Sequence, residues 1–449
     1  MTAPTNRLLF WAAWIAIPPG VIGAVAPHLI GPCVAVFLAA ALAALLDLAA
    51  GRRRTLDIEF TFPEVVRYAR MKPGAFTLHL TRPEGASRAR TLRIGLAFPA
   101  DMDVAEPVQR VVVPAEPGRY PLAWPCLPRQ RGRFAITGAY VERYSPLGLW
   151  ALRDRVEGQC EVRVYPNLIG ERNRMAALFL NRGGAGIHAQ RQVGKGREFE
   201  QLRDYQPGDS YEDVHWKATA RRGHPVTKMF QIERTQEVYV VVDASRLSAR
   251  CLPGAGPTEG PEPQLEHLLR AALLLGMVAE KQGDFFGLLT FSDRVHTFIR
   301  ASKGRGHFTS CREALCTLQP RLVNPDFEEI CTFLRLRLRR RALVVFLTNL
   351  DDPVLAEALT RNLELLSNRH LVLVNMITPD HIQPMFSQGP VENVDEIYAH
   401  LGGHLQWQNL RETQRALQRH GVDMHLTGHA SLCGDLVSQY IGVKQRQLI

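Results

Sequence analysis

Gly194–Ser248, GKGREFEQLRDYQPGDSYEDVHWKATARRGHPVTKMFQIERTQEVYVVVDASRLS, decides how the chain is divided. It ends in an unbroken apolar run, Val238–Val242, followed by Asp243, with Ser245 and Ser248 close behind. A short, β-branched run closed by polar residues predicts a buried strand whose carboxyl end carries a site. Ahead of it, Pro207-Gly208 predicts a turn, and Asp209 stands three residues before Glu212, the spacing of a cap and its reciprocal partner. A short helix is therefore expected over Ser210–Arg222. Glu212 and Asp213 fall in its first turn, Lys217, Arg221 and Arg222 in its last, and Gly223 can take the left-handed stop. Trp216, between His215 and Lys217, is expected to pack inward, with an exposed anchor for a partner as the alternative. The charges of the segment carry two readings, a solvated face or a recognition surface.

After Val238, apolar strands alternate with helical patterns: VYVVVD, FFGLLTF, HTFIR, ALVVFLTN, HLVLVNMI and VDMHLT. The helix expected over Gln264–Gln282 gathers Leu265, Leu268, Leu269, Ala272 and Leu275 on one face. This order predicts an α/β domain, a mainly parallel sheet covered on both faces. Ligands of such sheets bind beyond the carboxyl ends of the strands. That edge is expected to collect Asp243, Ser245, Ser248, the loop KGRGHFT over Lys303–Thr309, Thr348, Asn349, Asp351 and Asp352. Arg246, Lys303 and Arg305 would then hold a partner's carboxylate without a metal. Arg250–Pro263, RCLPGAGPTEGPEP, is expected to form a flap above the edge.

Upstream, FTLHL, LRIGLAF, RVVVP, FAITGAYV and CEVRVYP are short alternating runs separated by turn residues, which predicts an antiparallel β-sandwich. The connector that follows has a short apolar helix expected at Met175–Leu180 and then RGGAGIHAQRQVGKG. Its Gly194-Lys195-Gly196 lacks the spacing and the Lys-Ser/Thr ending of a phosphate loop, so a linker is expected there. At the amino terminus Leu8–Pro27 is uncharged and Cys33–Ala50 contains only Asp47. Each run approaches the roughly 20 residues that cross a hydrocarbon core. A transmembrane hairpin is expected, and Arg7, Arg52, Arg53 and Arg54 at its outer ends place both ends in the cytoplasm. Asp47 is expected to reach the interface or pair with those arginines. The division is 1–54 hairpin, 55–167 sandwich, 168–237 connector with the polar segment, and 238–449 α/β domain.

The formal net charge of +10 suits anionic lipid or an acidic partner protein. Basic residues do not interleave with aromatics as a nucleic-acid groove requires, so no nucleic-acid partner is expected. Leu334–Arg341, LRLRLRRR, reads as a helix end running into a strand. Eight scattered cysteines without CxxC or Cys/His spacing read as reduced thiols.

EFEQLRDYQPGDSYEDVHWKATARRG, followed by VTKMFQIERTQEVYVVVDAS, closely resembles the bacterial domain-of-unknown-function fifty-eight family, as does RGRFAITGAYVERYSPLGLWALR over Arg131–Arg153. The resemblance implies a von Willebrand factor A-like domain and association with MoxR-type AAA+ ATPases. It also implies a metal-ion-dependent adhesion site with Asp243, Ser245, Ser248, Thr348 and Asp351 as hard oxygen donors for magnesium or manganese. The chain departs from that pattern at Leu247, where DxSxS needs serine, and at Thr348-Asn349, where aspartate is expected. Weak or no metal binding is the expectation. Trp216, Lys217, Arg221, Arg246 and Arg305 are the expected partner-binding residues. The function expected is an adaptor of the bacterial inner membrane with its bulk in the cytoplasm, binding an AAA+ ATPase or its client proteins. The enzyme alternative is a metal-dependent hydrolase or nuclease using Glu198, Glu200, Asp204, Asp209, Glu212, Asp213 and Lys217.

Overall fold

The computed structural model describes all residues except 26–29, 54–56, 84–89, 174–192, 208–209, 232–235, 253–259, 380, 386, 388–392 and 447–449. The expected Met175–Leu180 helix, most of the glycine-rich connector, the Asp209 cap and the centre of the flap lie outside the described residues. The chain forms two compact units, Met1–Asn167 and Leu168–Ile449.

In the first unit a short strand β1 (Thr2–Pro4) precedes two helices, α1 (Asn6–Val25) and α2 (Ile30–Arg53). Among the described residues one helical stretch, Gly31–Arg53, is long and apolar enough to cross a membrane, and Asn6–Ile17 is a shorter apolar one. Eleven strands follow: β2 (Glu59–Thr61), β3 (Val65–Ala69), β4 (Gly74–Arg82), β5 (Arg90–Leu96), β6 (Met102–Asp103), β7 (Val108–Val113), β8 (Gly118–Pro128), β9 (Gly132–Ile136), β10 (Ala139–Tyr144), β11 (Trp150–Val156) and β12 (Cys160–Tyr165). They form sheets ordered β1-β11-β10-β5-β7, β2-β4-β8-β6 and β3-β12-β9. Among the described residues the pairings are antiparallel except β12 with β3. Alternation explains the core: Phe76, Leu78 and Leu80 of β4 point inward with Leu92 and Ile94 of β5, Ile136 of β9 and Val162 of β12, around the fully buried Trp124.

The second unit begins with an antiparallel pair, β13 (Val193–Asp204) and β14 (Val226–Gln231), that brackets a 3₁₀ turn at Tyr211–Asp213 and helix α3 (Trp216–Arg222). Then come β15 (Glu237–Asp243), the short pair β16 (Cys251–Leu252) and β17 (Glu262–Pro263), α4 (Gln264–Lys281), β18 (Phe285–Phe291), β19 (Val295–Ser302), α5 (Arg305–Cys316) and α6 (Phe327–Arg337). The chain finishes with β20 (Ala342–Leu347), α7 (Pro353–Ser367), β21 (Leu371–Ile377), α8 (Val394–Arg419), β22 (Asp423–Thr427) and α9 (Leu432–Gln445).

Six of these strands make one mixed sheet in the order β19-β18-β15-β20-β21-β22. Alternate residues of β15 serve opposite layers. Val238, Val240 and Val242 pack with Leu265, Leu268, Leu269 and Leu436 of α4 and α9, whereas Tyr239 and Val241 pack with Ile330, Leu334, Leu359 and Leu363 of α6 and α7. Burial on both faces is why β15 reads as an apolar run rather than an alternating one.

One placement differs from the sequence reading. β19 runs antiparallel to β18, with Phe286 opposite Ser302 and Phe291 opposite Val295. Only Ser292–Arg294 joins the two strands, a link that closes a hairpin and is far shorter than a parallel crossover. The Lys303–Thr309 loop therefore leaves from the edge where β18 begins, not from the edge that carries Asp243.

Candidate functional site

Asp243 ends β15 with its side chain fully buried. The Ser245 amide donates to its Oδ1 at 2.8 Å, and the Thr348 hydroxyl, from the adjacent end of β20, donates to its Oδ2 at 2.5 Å. Burial raises the Asp243 carboxyl above its ordinary value, and the hydrogen bonds from Thr348 and Ser245 oppose that rise. Ser245 Oγ accepts from the Leu247 amide at 3.3 Å, capping the 3₁₀ turn Arg246–Ala249, and Ser248 Oγ donates to the Ser245 carbonyl at 2.9 Å.

These residues do not fit a divalent ion as arranged. Both Asp243 oxygens already accept hydrogen bonds, Thr348 turns its proton towards the carboxylate, and the Ser245 and Ser248 hydroxyls serve the local backbone. Leu247, at the position where the motif needs a hydroxyl, is a buried apolar side chain. Among the described residues no group of three or more His, Cys, Asp or Glu is placed to hold a metal.

Two arginine–aspartate pairs close the edge. Arg250 Nη1 lies 2.9 Å from Asp351 Oδ2, and Arg246 Nη2 lies 3.1 Å from Asp352 Oδ2. Arg246 Nε also donates to Asn324 Oδ1. Asp352 caps α7 by accepting from the Val354 amide at 3.0 Å. Arg246 is thus occupied within its own chain. Burial raises the Asp351 carboxyl, opposed by Arg250 and by Asn349, whose Nδ2 donates to Asp351 at 3.0 Å. Beside these pairs, Gln264 Nε2, Asn349 Oδ1, Asp351 Oδ1 and both side-chain polar atoms of Asn375 are buried without a hydrogen-bond partner. Buried polar groups are normally satisfied by protein, water or ligand, so this set marks where a polar group or ordered water belongs.

Arg305 is not part of this edge. It opens α5, just after the Lys303 ammonium, which stands 4.8 Å from the ring of Phe285, the first residue of β18. The expected trio Asp243, Arg246 and Arg305 is separated by the length of the sheet, because β19 reverses direction.

The segment before β15 also departs from expectation. Instead of one helix over Ser210–Arg222, the 3₁₀ turn stops at Asp213, Val214 is buried and bridges to Thr227, and the His215 amide donates to the Val226 carbonyl at 2.8 Å. Pairing with β14 holds Val214 extended, and α3 restarts with His215 as its cap, Nδ1 accepting from the Ala218 amide at 3.0 Å. Gly223 takes the left-handed stop as read, with φ of 74°. Trp216, the first residue of α3, is 68% exposed and does not pack inward. Tyr211 is exposed too, its ring 6.0 Å from that of Tyr205, and Lys217, Arg221 and Arg222 are also exposed. Of the carboxylates in the hydrolase alternative, Asp209 and the side chains of Glu198 and Glu200 lie outside the described residues. Asp204 contacts His224 Nε2 at 2.9 Å and Arg222 at 3.9 Å, and Glu212 is exposed.

Sequence reasoning missed the buried group Glu262, His267 and Arg270 at the foot of the flap. His267 Nε2 lies 3.2 Å from Glu262 Oε1, Arg270 Nη2 lies 3.0 Å from His267 Nδ1, and Arg270 donates to Glu262. The signal was available: His267 and Arg270 are three apart on α4, one turn of the same face.

Residues 201–397 match the profile of the family described as protein of unknown function DUF58. The match runs from the end of β13 through the exposed α3, the Asp243 edge and the start of α8. Two curated relatives are uncharacterized proteins, Rv1480 of Mycobacterium tuberculosis and Mb1516 of Mycobacterium bovis. Each is 27% identical over 193 residues, covering 42% of this chain and 58% of the relative. The matched part of the chain thus spans just over half the length of those relatives. Among solved structures, an aerotolerance-related membrane protein from Bacteroides fragilis aligns over 46% of this chain and 98% of its own, with 13% identity and a TM-score of 0.28. Proximal thread matrix protein 1 of the mussel byssus, solved with a zinc-occupied MIDAS motif, aligns over 46% of each chain, with 13% identity and a TM-score of 0.25.

Proposed function

We propose that this protein is a membrane-anchored, cytoplasm-facing adaptor: α1 and α2 form a transmembrane hairpin, the β layers a sandwich that spaces the head from the bilayer, and the α/β unit a von Willebrand A-like head. The observation that carries the reading is the exposed Trp216, beside Tyr211, Lys217 and Arg221. Trp216 is a solvent-facing tryptophan on a helix that also carries exposed Lys217 and Arg221, and tryptophan with arginine is the composition of binding hot spots. The cationic rim favours an acidic partner surface. The partner class that the resemblance implies is a MoxR-type AAA+ ATPase or its client, and the head works without a resident divalent ion.

Affinity purification of the detergent-extracted full chain, followed by mass spectrometry, tests the partner. An AAA+ ATPase recovered with the wild type and lost with Trp216→Ala plus Arg221→Glu supports the reading; equal recovery removes this surface as the docking site. Orientation is tested separately, on the strength of Arg7, Arg52 and Arg53 flanking the apolar helices. Alkaline phosphatase fused after Ile449 is expected to stay inactive, and activity there would sink the cytoplasmic placement.

A further inference from the structure

The anchor and the β layers meet at one built joint. Ala44, Asp47 and Gly51 lie along one face of α2 and are buried. Asp47 Oδ2 accepts from Ser145 Oγ at 2.5 Å and its Oδ1 from the Leu147 amide at 2.9 Å. The Ala44 carbonyl accepts from Trp150 Nε1 at 2.8 Å, and the Gly51 carbonyl from Arg143 Nη1 at 3.2 Å. Gly51 permits the approach: a Cβ there would stand 3.0 Å from Leu152 Cδ1 and 3.3 Å from Ser145 Cβ. The other helix is tied to the same turn, since Thr5 Oγ1 donates to the Gly148 carbonyl at 2.8 Å and the Thr5 amide to the Leu149 carbonyl at 3.0 Å.

Depth follows from helix geometry. Asp47 precedes Arg52 by five residues, about 8 Å along the axis at 1.5 Å per residue. With Arg52, Arg53 and Arg7 at the level of the headgroups, the atoms that bind Asp47 lie below that level. A carboxylate at such depth is costly unless donors reach it, and Ser145 and Leu147 supply them. Leu147 is nonetheless 61% exposed; Leu42, Leu45 and Leu46 of the α2 to which its turn is bonded are exposed too, and Leu9 and Phe10 of α1 are exposed as well. An apolar side chain at the tip of a turn, held beside an apolar helix face, fits acyl chains rather than water.

We infer that the turn Ser145–Trp150 is a lipid-embedded wedge: Leu147 inserts at the boundary between headgroups and acyl chains of the bilayer that α2 crosses, and the arginines beside it take anionic phospholipid headgroups. This rests on the membrane-anchor reading. The wedge would fix how the β layers stand on the membrane, since a domain tied to both helices and seated in the interface cannot swing on a linker.

The test uses the full chain in nanodiscs of phosphatidylcholine and phosphatidylglycerol. Cys33→Ala and Cys251→Ala remove the less buried thiols, and a spin label is placed at Leu147→Cys, Leu42→Cys or Val112→Cys. Accessibility to oxygen is compared with accessibility to a water-soluble nickel chelate. The label at 147 is expected to share the lipid signature of 42, with loss of nickel accessibility relative to 112. If 42 reads as lipid and 147 as water, the wedge is wrong and the anchor stands. Water at 42 overturns the anchor and the wedge together. A label at 147 reached by neither relaxant shows that protein, such as a second copy, covers the turn, and that also overturns the wedge.

Discussion

Arg270→Ala is expected to cost the α/β unit about 3–5 kcal/mol of stability, the range for removing one partner of a buried pair. Glu262, His267 and Arg270 are each buried to 5% side-chain exposure or less. The substitution takes the guanidinium away from the buried Glu262 carboxylate, and the penalty is mainly the loss of that compensating charge in the interior. It also has a structural consequence. Glu262 belongs to β17, so its contact with α4 ties the returning end of the flap to the helix, and losing it should free the β16–β17 pairing. Urea unfolding followed by amide exchange of α4 and β15 reads the loss. Glu262→Met combined with Arg270→Met should recover part of it, because both buried charges leave together while the buried His267 loses its contacts to them. A single-variant loss below about 1 kcal/mol would place the group with surface pairs in energy and contradict the burial argument.

Asp243→Asn is expected to leave the protein as stable as the wild type, or more so, at neutral pH, and to flatten its pH dependence. The sign follows from the raised carboxyl. The folded state holds the Asp243 proton more tightly than the unfolded chain, whose value is near the ordinary 3.8. Stability from this group is therefore fully present below 3.8 and is lost as pH rises from there through the folded-state value, by up to about 1.4 kcal/mol per unit for one proton. Asparagine keeps the shape, accepts from the Ser245 amide through its oxygen and donates to Thr348 Oγ, so the charge alone is removed. A metal ligand would behave in the opposite sense. Asp243→Asn would then lower stability at neutral pH, and the wild type would gain stability with added magnesium or manganese.

Much of the α/β layer was legible because its signals are local or strongly periodic. The apolar run of β15, the one-sided leucines of α4 and the stop at Gly223 all depend on a few neighbouring residues. The reversal of β19 was also written in the chain, in a link too short for a crossover, but apolar composition says nothing about strand direction. What could not be read locally was decided by distant partners. Val214 leaves the helix because it pairs with Thr227, and Trp216 faces solvent because α3 restarts from His215 one residue earlier. Asp47 looked like a charge in search of an arginine; its partners, Ser145 and Leu147, lie about a hundred residues downstream in a turn that composition would assign to the β layers. At the candidate site the strand ends bring Asp243, Ser245 and Thr348 together, as the alternation of strands and helices implies. Their hydrogen bonding was not legible, and it is the hydrogen bonding that turns a ligand set into a satisfied buried acid.

The adaptor reading is tested most directly by the affinity of the full chain, reconstituted in nanodiscs, for the purified AAA+ ATPase, with wild type and Trp216→Ala compared by biolayer interferometry. The exposed tryptophan is predicted to act as a hot spot, so its removal should cost about 2 kcal/mol or more, on the order of thirtyfold in Kd, with no change in thermal unfolding. Equal affinity of the two proteins, with the fold of both intact, would contradict the account.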